Sequence, residues 1–174
     1  YTQGFYGNAG GKTCWGQTTT ELLMELLAED LVIGGGENKL TIHSGHVECL
    51  YKSLPGGGPS APLNGHATCD NPVGITLHKK GTFKNTLLNQ TITAALNFRL
   101  SPDLYDVALD HSIMIADIEN CKDSEPKMVR GSEHEFHMPS SVVDYLGEDA
   151  TLGMVLDLAN LALSGEDVSP LSLS

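Results

Sequence analysis

"FKNTLLNQTITAALNFRLSP", residues 83–102, is the stretch whose reading decides the fold. Apolar Leu88, Ile92, Ala95, Leu96 and Leu100 recur at helical spacing, Asn85 can cap the start, and Pro102 stands where a helix must stop. The β-branched run Thr91-Ile92-Thr93 argues for a strand instead. The longer pattern predicts a central helix. Asn89-Gln90-Thr91 also matches a glycosylation sequon, a weak signal within a helix.

Working outward, "TTTELLMELLAED" (18–30) predicts a second helix: Thr18 and Glu21 are spaced as a capping box, and Leu22, Leu23, Leu26 and Leu27 form one stripe. Gly34 to Gly36 lie beyond its end. In "NKLTIHSGHVECLYKSLPGGG" (38–58) we read a short strand, Leu40 to Ile42, a Ser44 cap, and a helix from about Gly45. Val47, Leu50, Tyr51 and Leu54 line one face of that helix, and Pro55 with three glycines ends it. Residues 55–74 are dense in turn formers and read as a long surface loop pinned through Cys69. "VALDHSIMIADIENC" (107–121) has no clean period and its state stays open.

"MPSSVVDYLGEDATLGMVLDLANLALSG" (138–165) reads as a short helix after a Ser140 cap, a Gly-Glu-Asp turn, and a longer helix. In the longer one Leu152, Val155, Leu156, Ala159 and Leu163 are expected to face inward. Residues 1–17 form a glycine- and aromatic-rich arm, and 165–174 the start of a linker or tail. "LTIHSGHVECLYKSL" and "FHMPSSVVDYL" echo each other, a β-type piece followed by a polar or Pro break, a Ser and a helix turn. The expected fold is mainly α with a small β-ribbon (α+β), about five helices and long ordered Gly/Pro-rich loops. Residues 1–174 are expected to form a single extracellular module.

A length of 174 residues suits one domain with a real core. Ten Lys plus Arg against 22 Asp plus Glu leave a net charge of −12, which repels phosphate backbones and anionic headgroups. Nucleic acid is therefore not an expected partner. No apolar run approaches the roughly 20 residues of a membrane-spanning helix, so membrane insertion is not expected either. The opening on Tyr1 without Met points to a processed or trimmed chain.

Four cysteines, Cys14, Cys49, Cys69 and Cys121, are too widely spaced for a zinc ribbon, and none has the setting of a catalytic thiol. An even count in a Gly/Pro-rich chain points to two disulfides and export, with any of three connectivities. "GNAGGKT" (7–13) is one residue short of a phosphate-binding loop, and no apolar strand precedes it, so no cofactor is expected. Asp103, Asp106, Asp110 and Asp117 have no glycosidase context, and no GxSxG elbow occurs. "DNPVG" and "GEDA" are oxygen-rich but are not EF-hand loops.

Scattered blocks resemble a recurrent module of secreted and cell-surface proteins of Bacteroidetes-type bacteria: "YTQGFYGN.GG..C", "ELL..LL", "LTI..G...C...LPGGG", "NTLLNQTIT.ALN.RLS" and "L.LAN.AL.G". They span most of the chain. The resemblance implies export, a role at the cell surface or in extracellular material, and a chain that often continues further. The pattern commonly has Pro after "LTI"; this chain has His43, with His46 close behind.

"GSEHEFHMP" (131–139) sets His134 and His137 three apart among acids. Such histidines converge on a helix but point to opposite faces of a strand, and Pro139 predicts an extended "HEFHM". Pairing the two echo strands could instead bring His43 and His137 onto one face, with His46 or Glu135 as third ligand. The expectation is that these histidines hold no structural metal. In the arm, Tyr1, Phe5, Tyr6 and Trp15 carry much apolar area on little secondary structure. They are expected to touch another subunit or domain, with their own core or a sugar-stacking role as the alternatives. These readings converge on a non-enzymatic, self-assembling structural or adhesive module. The alternative is a carbohydrate- or metal-binding domain attached to a secreted enzyme, with a glycan as partner.

Overall fold

The computed structural model describes residues 1–109, 114–116, 134–136 and 138–172. In chain order these form α1 (Gln3–Tyr6), α2 (Thr19–Leu26), β1 (Leu31–Gly35), β2 (Asn38–Ile42), α3 (Val47–Ser53), β3 (His66–Thr68) and α4 (Thr86–Leu100). There follow a 3-10 turn (Pro102–Asp106), β4 (Met114–Ala116), β5 (His134–Phe136), α5 (Ser140–Leu146) and α6 (Leu152–Ser164). The fold is α+β, mainly helical, with six helices, a small three-stranded sheet and a separate two-stranded pair among the described residues.

The central stretch is a helix. The Asn85 side-chain oxygen accepts from the Leu88 N–H, and α4 ends at Leu100 before Pro102. Thr91 and Thr93 fit the helix by donating their hydroxyls to the carbonyls of Leu87 and Asn89, each at 2.8 Å, which removes their case for a strand. The capping box of α2 is complete, with Glu21 N donating to Thr18 Oγ1 at 3.2 Å and Thr18 N to Glu21 Oε2 at 2.8 Å.

Both helices bury their stripes in one core. Leu22, Leu23 and Leu27 meet Leu88, Ile92 and Leu96, and Ile33, Leu40, Ile42, Leu50, Phe83 and Leu163 close it from the other elements. Full burial of each such side chain contributes about 1.5–3 kcal/mol.

Several local readings are corrected. Leu31–Gly35, to which the sequence assigned no element, is a strand antiparallel to β2, with Leu31 opposite Ile42 and Gly35 opposite Asn38. Its turn is Gly36-Glu37, with Gly36 at φ +52°, the left-handed value a two-residue hairpin uses. The 55–74 stretch is not all loop: His66–Thr68 adds to β2 as a parallel strand, too short for any period to show. Ser44 and Ser140 cap nothing. Ser44 gives its N–H to Asp30 Oδ1, and α5 starts at Ser140 without a side-chain cap.

The inward face of α6 is Gly153, Leu158, Ala162 and Leu163, whereas Leu152, Val155, Leu156 and Ala159 are half-buried. Two contacts set that rotation. A Cβ on Gly153 would lie 2.4 Å from the Tyr105 ring, and Asn160 Oδ1 accepts from Gly34 N at 2.9 Å. The helix closes on Gly165 in the left-handed conformation. Beyond it Val168 is buried against Leu158 and Ala162. The echo strands do not pair, because β2 lies between β1 and β3 while β5 pairs with β4.

Candidate functional site

Among the described residues, a group of chemistry-bearing side chains lies where β2 turns into α3. His43 follows β2, and His46 immediately precedes Val47, the first residue of α3. His43 Nδ1 sits 3.0 Å from Asp30 Oδ2, and the other oxygen of Asp30 accepts from Ser44 N at 2.8 Å. The bond from Ser44, and after it the one to His43, holds the Asp30 carboxyl below the usual aspartate range. His46 Nδ1 contacts Asp70 Oδ2. The two imidazoles lie edge to face with centroids 5.7 Å apart, and both side chains are about half exposed.

Three residues on from His46, Cys49 forms a disulfide with Cys69, the neighbour of Asp70, with their Cα atoms 5.7 Å apart. A covalent bond and the His46–Asp70 hydrogen bond thus run side by side from the start of α3 to the segment after β3. The Asp30–His43 pair ties the end of α2 to the same corner. Cys14 is also disulfide-bonded and none of the described cysteines is free, so the expectation of bonded cysteines is met at Cys14, Cys49 and Cys69. Cys121 lies outside the described residues.

Chemically the corner offers two imidazoles, each with one ring nitrogen turned to a carboxylate. Structural zinc needs four ligands and catalytic zinc three from protein. Among the described residues no group of three or more His, Cys, Asp or Glu could hold a metal. His137 and the side chains of His134 and Glu135 lie outside the described residues. The echo strands belong to different sheets, so the pairing through which His43 and His137 could share a face does not form.

Of the arm's aromatics, Tyr6 is fully buried, and its hydroxyl donates to Asn97 Oδ1 on α4 at 2.8 Å. Burial pushes that phenol well above its ordinary range. Tyr1 stacks on Phe5 at 4.0 Å, and Tyr1 and Phe5 each meet the Tyr6 ring edge to face. Trp15 stands apart from them, 59 % exposed, donating Nε1 to Gln17 at 3.3 Å.

The sequon asparagine, Asn89, has no exposed surface, and its Nδ2 donates to the carbonyls of Phe83 and Asn85. A glycan cannot be carried there by the folded chain. An aliphatic groove of about 350 Å³ runs between α4, α5, α6 and residues 168–171, lined by Leu87, Val142, Leu158, Ala162 and Leu171 among others.

Sequence reasoning passed over residues 77–84. Leu77 bridges Phe83, His78 N donates to Thr82 O at 2.8 Å, and Gly81 turns the chain at φ +89°. The hairpin carries Lys79 and Lys80 at its tip and Lys84 at its base, and the Lys-Lys-Gly run was the signal that marked it. Comparison with family models, with curated proteins and with solved structures returns no match to this chain.

Proposed function

We propose that the chain is a non-enzymatic extracellular module, structural or adhesive, that associates with copies of itself or with neighbouring domains. The observation that carries this reading is the Cys49–Cys69 bond, with Cys14 also oxidised, because such bonds persist in oxidising compartments. The uses of polar chemistry support it too. The His43–Asp30 and His46–Asp70 pairs are spent on each other at a loop junction, and Asn89 of α4 and Asn160 of α6 bind backbone. The charge of −12 keeps such a surface hydrated outside a cell.

The test is sedimentation and electron microscopy of the purified oxidised chain, run beside a glycan array. Ordered polymers or concentration-dependent oligomers are expected. A strict monomer that binds a glycan would replace this reading with the carbohydrate-binding one.

A further inference from the structure

We infer that the lysine hairpin, residues 77–84, is one half of a head-to-tail contact whose other half is the acidic end of a second copy of this chain, around Tyr105. The inference rests on the self-associating reading above and names the surfaces that such association uses.

Three of the ten Lys and Arg residues fall within these few positions. Lys79, Lys80 and Lys84 are all exposed and line one concavity with Leu77. Among the described residues none of the three forms an ion pair, although the chain holds 22 acids. Nor do they serve the helix behind them. Lys84 immediately precedes Asn85, the cap of α4, where the helix dipole favours anions and disfavours cations.

Beyond the opposite end of α4, whose last turn carries Arg99 bound to the carbonyls of Leu26, Glu29 and Asp30, the chain is acidic. That helix is about 22 Å long at 1.5 Å per residue, and Asp103 and Asp106 lie in the turn just beyond it. Tyr105 in the same turn hydrogen-bonds Asp157 of α6. That bond, with the charges of Asp157 and Asp106 adding to it, pushes the phenol up.

Each pole also has exposed apolar surface for a contact to bury, Leu77 at one and Tyr105 with Val107 at the other. The length of α4 keeps one chain from closing its own poles, so the match is made between copies. Contacts between two different patches propagate as rings or open chains.

Sedimentation velocity at low and at 0.5 M added salt, as an order-of-magnitude contrast in screening, tests this. The proteins are the oxidised wild type, a Lys79→Glu/Lys80→Glu/Lys84→Glu variant, an Asp103→Lys/Asp106→Lys variant, and a control with the same charge change, Lys12→Glu/Lys39→Glu/Lys52→Glu. Circular dichroism checks that each stays folded.

Wild-type association should weaken with salt. Each pole variant alone should associate at least tenfold more weakly, an equimolar mixture of the two should regain association, and the control should resemble wild type. A hairpin variant that associates like wild type, or a control that weakens as much, overturns the inference while leaving self-association standing. A wild type that stays monomeric overturns both.

Discussion

Gly56 and Asn89 are in contact with no room between them: a Cβ on Gly56 would lie 2.3 Å from Asn89 Nδ2 and 2.4 Å from Phe83 O. The buried Asn89 carboxamide donates to the carbonyls of Phe83 and Asn85 at the start of α4, and Gly56 packs directly against it. Gly56→Ala should therefore displace a buried amide from its acceptors. A destabilisation of about 1–3 kcal/mol is expected, read as a lowered urea midpoint at unchanged slope. A variant as stable as wild type would show that Asn89 can move without cost.

Arg99 reaches from the last turn of α4 to the carbonyls of Leu26, Glu29 and Asp30 at 2.6, 2.8 and 2.7 Å. These carbonyls lie at and just past the end of α2, where helix acceptors lack partners. Arg99→Met keeps the stem and removes the donors, and should cost about 2 kcal/mol, since hydrogen bonds from a charged donor contribute about 1.5–3 kcal/mol. Arg99→Lys should recover little, because one ammonium cannot span all three oxygens. Equal stability of wild type and the Met variant would assign the end of α2 to packing alone.

The Cys49–Cys69 bond closes a loop with a sequence separation of 20. Chain-entropy reasoning gives roughly 3 kcal/mol for a loop of that order, so a Cys49→Ala/Cys69→Ala variant should unfold at a clearly lower denaturant concentration. Non-reducing peptide mapping should find the 49–69 cross-link in the purified chain. Recovery of both residues as free thiols would remove the support for an oxidising compartment.

Asp30 titrates below the ordinary aspartate range because Ser44 and His43 bond its carboxylate. A depressed folded-state value stabilises the fold above the unfolded-state value, and that contribution is lost as pH falls through the folded one. Wild type should thus lose stability on acidification from about pH 5 towards pH 2 more steeply than Asp30→Asn. Glu21 acts in the same direction through its bonds from Thr18, so the slope should shrink without vanishing. Parallel acid limbs for the two proteins would show that Asp30 is not linked to folding.

Much was legible before any coordinates because it is local. The capping box at Thr18 and Glu21, the helical spacing from Leu88 to Leu100, the stop at Pro102 and the extended reading of His134–Phe136 each depend on residues within one or two turns. Composition and cysteine number pointed to oxidised cysteines and an acidic surface in the same way.

What tertiary structure alone decided depends on partners far along the chain. β3 is three residues with a single buried side chain, Ala67, and exists because β2 offers it an edge. The rotation of α6 is set by Tyr105 and Gly34, and the separation of the echo strands by which neighbours each one found. His43 and His46 stood only as metal-ligand candidates, beside the expectation of no structural metal, while their partners were unknown. Asp30 and Asp70 lie 13 and 24 positions away, and only folding brings those carboxylates to the two rings.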